Sequence, residues 1–206
     1  MSRLNVNPTR MELKKLKARL NTAVRGHKLL KDKSDEMVRQ FSAIIKENKR
    51  LRDEVEEELS ETLREFSVAR SVTPAYRAET AFSMPSSGVK AECGTSSIMG
   101  VEVPDIKLVS EKRSDGLPYA YSEMTSEADH SVERASRLLP KMLALAATEK
   151  SVRLLAEEIE RNKRRVNALE YVMIPQLEET IKYIKSKLDE NERAAVIRMM
   201  KVKSKA

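Results

Sequence analysis

Leu13-Lys-Lys-Leu16-Lys-Ala-Arg-Leu20-Asn-Thr-Ala23 opens a run of residues spaced three and four apart, continued by His27, Leu30, Ser34, Met37, Phe41, Ile44, Asn48, Leu51 and Val55. A repeat averaging 3.5 residues over several heptads makes the seam of a coiled coil, not one face of a compact globule. The far end of the chain carries a second stripe: Leu155, Ile159, Asn162, Val166, Leu169, Met173, Leu177, Ile181, Ile184, Leu188, Asn191 and Ala195. Each stripe is too narrow to stabilise a helix alone, and charge covers the remaining faces, so the two are left with each other. The sequence therefore predicts a mainly all-α fold. It is a long antiparallel two-helix coiled coil with a small β-hairpin or irregular knob in the middle of the chain. Rods of this kind transmit force, measure distance or hold partners.

Local signals place the boundaries. Asn7 can cap a helix and Pro8 suits its first position, where no backbone N–H is needed. The first helix is expected over residues 8–71, roughly 95 Å long, until Val72-Thr73-Pro74 breaks it. The middle segment, 72–126, holds four of the five Gly and Pro74, Pro85, Pro104 and Pro118. Within it, Gly88-Val-Lys-Ala-Glu-Cys93 and Ser97-Ile-Met-Gly-Val-Glu-Val103 are expected to pair around Gly94-Thr95-Ser96. That gives a hairpin at about 88–103, ended by Pro104. A second helix, 127–201, begins with the acids Glu127 and Asp129 and is expected to kink near Pro140 and Pro175. Residues 8–71 and 127–201 together make one coiled-coil domain. Near Pro175 the stripe slips, because Met173, Leu177 and Ile181 are spaced four and four; such a stutter unwinds the supercoil. Polar seam positions at His27, Ser34 and Asn48 penalise misaligned pairing. Gly26 is either a tolerated surface residue or a point of close backbone approach.

Composition fits long solvated helices: 34% of residues are charged, 4% are aromatic and there is no Trp. The net charge of +7 is unevenly spread. Nine Lys or Arg lie between Arg10 and Lys33 against Glu12 and Asp32, seven acids lie between Asp53 and Glu65, and the tail beyond Glu192 is purely basic. Antiparallel pairing brings both basic runs to one tip, suited to an acidic partner. No apolar run approaches the length of a membrane span, and the start lacks a signal peptide's apolar core, so a cytosolic chain is expected. There is no Gly-x-x-x-x-Gly-Lys-[Ser/Thr] loop to cradle phosphate, and Cys93, His27 and His130 are too few and too scattered to ligate a metal. No catalytic residue, cofactor or metal is expected.

Three stretches stand out together: Asn7-Pro-Thr-Arg-Met-Glu-Leu-Lys-Lys-Leu-Lys-Ala-Arg-Leu20, Ala23-Val-Arg-Gly-His-Lys-Leu-Leu-Lys-Asp-Lys33 and Glu158-Ile-Glu-Arg-Asn-Lys-Arg-Arg-Val-Asn-Ala-Leu-Glu-Tyr171. In these the chain resembles a known family, the D subunits of the V-type and A-type rotary ATPases. The resemblance continues in Ile174-Pro-Gln-Leu-Glu and Leu188-Asp-Glu-Asn-Glu-Arg193, while Met199-Met200 departs from the Leu-rich ending of that family. The resemblance implies a central rotor shaft. Its termini enter a ring of catalytic and regulatory subunits, A and B, where ATP is hydrolysed or made. It binds the small F subunit and seats on a funnel-shaped adaptor above the membrane ring that moves protons or sodium ions. It further implies a cytoplasmic position in a membrane-associated complex, with no nucleic acid and no direct membrane insertion. On this reading Arg10, Lys14, Lys15, Lys17, Arg25, Lys28, Arg193, Arg198 and Lys201 form a basic bearing against the ring. Two other classes fit the residues alone: a cytosolic coiled-coil scaffold or tether, and a basic nucleic-acid-binding coiled coil. The latter lacks a recognition module and aromatic platforms.

Overall fold

The computed structural model describes residues 3–83, 87–112, 117, 119 and 124–204. Pro85 and Pro118, singled out above, lie outside the described residues. Helix α1 spans Arg10–Val72 and a short α2 spans Ala75–Phe82. Strands β1, Ser87–Ile98, and β2, Val101–Lys112, form an antiparallel pair. Helix α3 runs over Ser126–Ala168, a π-helical turn occupies Leu169–Met173, and α4 completes the order over Ile174–Lys203. The chain divides into two compact units. Unit 1 comprises Met1–Val38 and Ile159–Ala206, and unit 2 comprises Arg39–Glu158.

In unit 1 the seam is built as the spacing requires. Leu16, Ala23, Leu177 and Ile184 form a buried cluster, with Leu13, Leu20, Leu169, Ile181 and Leu188 half-buried around it. Met37 and Val166 are also buried and Leu30 is half-buried. Cross-contacts run Arg10 to Glu192, His27 to Glu170 and Met37 to Asn162, so residue numbers rise on α1 as they fall on its partner: the helices are antiparallel. Asn162 is 1% exposed, its amide pointing at Met37 Sδ. Such a polar group in an apolar seam ties the two helices to one register.

The helix begins differently from expectation. Thr9, not Asn7, caps α1: its Oγ1 accepts the backbone N–H of Glu12 at 3.2 Å, half of a capping box. Residues 3–9 precede the helix and pack back on α4 through Leu4.

The seam departs from its expected path at the π-helical turn. Met173 is 39% exposed, and Ile174 packs against the cluster in its place. Leu169 and Ile174 both reach the seam although five residues separate them. An ordinary α-helix would turn them to different faces, while the i→i+5 bonds of a π-turn absorb the additional residue. Pro175 follows at the start of α4, where its missing N–H is tolerated. Past Leu188 the stripe ends: Asn191 and Ala195 are exposed.

Unit 2 repeats the antiparallel arrangement. Val55 and Leu155 are buried, and Phe41, Ile44, Leu51 and Leu154 are half-buried. Asn48 donates to Thr148 Oγ1 at 3.4 Å, and Arg52 pairs with Glu149, Lys141 with Glu58 and Arg134 with Glu61 and Glu65. Helix α3 runs through Pro140 as one element. Helix α2, in a stretch expected to be irregular, joins a small aromatic and alanine core. Ala69, Ala81, Tyr119 and Ala128 are buried there, and Phe82 meets Phe66 and Tyr119 edge to face. Alanines let the helices approach closely, and the Tyr119 hydroxyl is satisfied by Asp129 Oδ1 at 2.8 Å.

The hairpin turns at Met99-Gly100, where φ is 53° and 84°. Two consecutive positive φ values match the right-handed twist of the flanking strands, which is why two-residue hairpin loops favour them. Gly94-Thr95-Ser96 therefore lies within β1, Gly94 opposite Asp105, and Pro104 lies within β2 opposite Thr95 rather than ending it. In a two-stranded ribbon both strands are edges, so a proline can sit with its nitrogen outward.

Candidate interaction surfaces

The basic residues of unit 1 named above are all exposed on its helices. Arg10 opens α1, and its guanidinium pairs with Glu192. That contact sets the start of α1 beside residue 192 of α4, with Lys14, Lys15 and Lys17 on the next two turns. Lys15 is held by Glu12 at 3.1 Å. Arg193 is gathered at the same helix end, whereas Arg198 and Lys201 lie further along α4. Arg25 and Lys28 flank His27, whose Nε2 is 3.3 Å from Glu170 Oε2. They sit beside the π-helical turn, about 25 Å along α1 from Arg10. The nine candidates thus occupy a helix end, a stretch of α4 beyond it and a separate place lower on α1.

Beyond Glu192, α4 continues for eleven residues past the point where α1 begins, and every residue from Asn191 to Lys203 is exposed. Val196, Ile197, Met199, Met200 and Val202 are among them, with Val202 70% exposed. Alternating with Arg198, Lys201 and Lys203, they make a helix end that is both apolar and basic. Sequence reasoning followed the charges and missed the apolar half. The signal was there: Ala194-Ala-Val-Ile-Arg-Met-Met-Lys-Val202 is too apolar for a solvated tail and no longer follows the seam spacing.

A second apolar surface lies in unit 2. Leu59, Leu63 and Phe66 of α1 face Val132, Leu139 and Met142 of α3 across a groove of about 370 Å³. Leu63 is 55% exposed. The cause is a segment of α3, Leu138-Leu-Pro-Lys-Met-Leu-Ala-Leu-Ala-Ala147, that is apolar nearly all round. A helix of that composition is normally enclosed on every side, and one partner helix covers only part of it. An uncovered apolar groove of this kind is a candidate contact surface.

Chemistry is sparse by comparison. Among the described residues no three His, Cys, Asp or Glu are placed to hold a metal ion, and no helix is long and apolar enough to cross a membrane. Cys93 is exposed on β1. The Glu127 carboxyl lies below the usual carboxylate range because it accepts its own backbone N–H at the start of α3, as first-turn acids do.

Comparison with known proteins gives one consistent result. Residues 12–204 match the family model that describes the D subunit of ATP synthase. The V-type ATP synthase D subunit of Clostridium novyi (strain NT) is 50% identical over 207 aligned residues, covering 99% of this chain and 96% of that protein. The protein of the same name from Acetivibrio thermocellus is 51% identical over 205 residues, covering 98% and 92%. That of Fusobacterium nucleatum subsp. nucleatum is 50% identical over 204 residues, covering 98% and 97%.

Proposed function

Because this chain belongs to the family of ATP synthase D subunits, we propose that it is the central-stalk rotor subunit of a V/A-type ATPase and has no catalysis of its own. The carrying observation is the far end of α4. It extends past its partner helix, carries Val196, Ile197, Met199 and Met200 uncovered, and is studded with Arg193, Arg198 and Lys201. A helix end of this kind fits inside a sleeve with apolar walls and acidic rims. On this reading the sleeve is the ring of A and B subunits, on the cytoplasmic face of the membrane.

Torque needs no chemistry in the shaft. A shaft with different side chains on different faces biases otherwise identical ring sites toward different states, by as much as its contacts with those states differ. Unit 1 supplies the ring contact. The apolar groove of unit 2 is a fitting seat for the small F subunit, and the funnel-shaped adaptor takes the remaining contact with the membrane rotor. Subunits of one machine are expected to co-purify, with one copy of this chain per complex.

The test is truncation after Glu192 in the reconstituted complex. Helical content should be retained, because no described residue beyond Leu188 is buried in the coil, while assembly with the ring and coupled ATP turnover are lost. Full assembly and coupling by the truncated chain would refute the assignment of this end to the ring. Stoichiometric Mg-dependent ATP binding by the isolated full chain would refute the non-catalytic role.

A further inference from the structure

Residues 3–9 do more than lead into α1. Leu4 packs on the cluster of Leu16, Ala23, Leu177 and Ile184. Its backbone N–H donates to Thr180 Oγ1 at 3.2 Å, and the Arg3 guanidinium stands 4.2 Å from the centre of the Tyr183 ring. An apolar contact, a hydrogen bond and a cation–π contact therefore fall on one short stretch of α4, residues 177–183. Thr180 is 1% exposed, and its hydroxyl donates to Gln176 O at 2.6 Å. Its oxygen is left as a buried acceptor, and the Leu4 N–H fills that need. Leu4 and Val6 are half-buried while Arg3, Asn5 and Asn7 are exposed, the alternation of an extended segment laid on a surface.

This segment lands where the regular α-helical ladder of unit 1 is interrupted. The π-helical turn ends at Met173, Pro175 brings no N–H, and Met173 has left the seam. Leu4, Arg19, Val172, Met173, Gln176 and Leu177 line a groove of about 250 Å³ there. Lost helical bonds and a seam residue turned outward leave the first turns of α4 with less to hold them on α1.

We propose that residues 3–6 are a clasp that holds the first turns of α4 against α1 where the π-helical turn and Pro175 interrupt the helix. Leu4 adds an apolar contact to the same cluster as Ile174, where Met173 has left the seam, and the Leu4–Thr180 bond fixes its position along α4. The clasp rests on packing within unit 1 and is independent of the rotor reading.

Hydrogen exchange on the full chain, followed by mass spectrometry, tests it. Leu4→Asp should speed exchange of the amides of residues 174–184 about tenfold, the effect of removing one partly buried leucine. Residues 13–37 of α1 should keep parent rates. Leu4→Ile should restore parent rates throughout, and far-UV circular dichroism should show both variants helical. Parent-like exchange at 174–184 in Leu4→Asp overturns the proposal. So does an equal rise across residues 13–37, which would mark Leu4 as an ordinary core residue.

Discussion

A Cβ added at Gly26 would meet no heavy atom within 4 Å. The close-approach alternative therefore has no support within this chain, and what remains is the conformational cost of glycine inside a helix. Gly26→Ala should stabilise the chain by about 1 kcal/mol, read as a raised midpoint in a thermal melt. Should a partner's backbone lie on this spot, the same variant would gain stability and lose assembly. Tyr119 makes the opposite case, a polar group held by its surroundings. Burial, then the bond to Asp129, pushes its phenol above the ordinary tyrosine range. Near neutral pH, Tyr119→Phe should cost about 1 kcal/mol through the lost hydrogen bond. The folded chain keeps the phenol proton where the unfolded chain releases it, so this contribution is full below about pH 10 and declines as pH rises further. Chemical denaturation of both proteins should show the parent's advantage narrowing above about pH 10. An advantage that grows in alkali would contradict the sign.

Among the elements, the π-helical turn explains why the sequence reading drifted at Met173. Spacing alone counts residues per turn as constant, so a single inserted residue moves every later assignment off by one until the packing resets it. Leu16, Leu177 and Ile184 were legible because straight helices flank them. Ile174 was not, because only the π-turn brings it to the seam. Removing Val172 should return this stretch to α-helical spacing with the flanking registers kept. Pro175 would then sit inside a continuous helix and collide with the preceding turn, at a cost of about 3 kcal/mol. We expect the deletion to lower the melting midpoint and Pro175→Ala in the same background to recover most of the loss. The hairpin hid its turn for another reason. Gly94-Thr95-Ser96 has the composition of a turn, while Met99 must adopt a left-handed conformation that its side chain disfavours. The paired register of twelve residues on each strand outweighs that local preference.

Taken whole, the chain divides its charge as it divides its fold. Unit 1 carries 22 Lys and Arg against 11 Asp and Glu, and unit 2 carries 17 against 21. The runs of charge were readable along the sequence. The apolar stretches beside them stood in the sequence as well, but their exposure did not, because it depends on which helix stops first and how much one partner covers. Exposed pairs such as Arg10 with Glu192 hold little individually. Changing Arg10, Lys14, Arg25, Arg193 or Arg198 singly to Ala should therefore leave ring assembly nearly unaltered. Changing all five to Glu should weaken it and make it salt-sensitive, measured as complex formation across a salt series, with helical content preserved. Tight binding by the fivefold variant at low salt would leave shape, not charge, as the basis of the contact.

The antiparallel pairing also sets an order of events in time. Arg10 and Glu192 are 182 residues apart in the chain, Lys141 and Glu58 are 83 apart, and Arg134 and Glu61 are 73 apart. The shortest loop closes first, and each later pair then closes a small additional gap rather than a long one. Folding should zip from the pairs nearest the hairpin toward the two termini. In pulse-labelled refolding, amides near Ala69 and Ala128 should gain protection before those near Leu16 and Ile184. On the ribosome the start of the first helix must wait, its stripe uncovered, until α4 has been made.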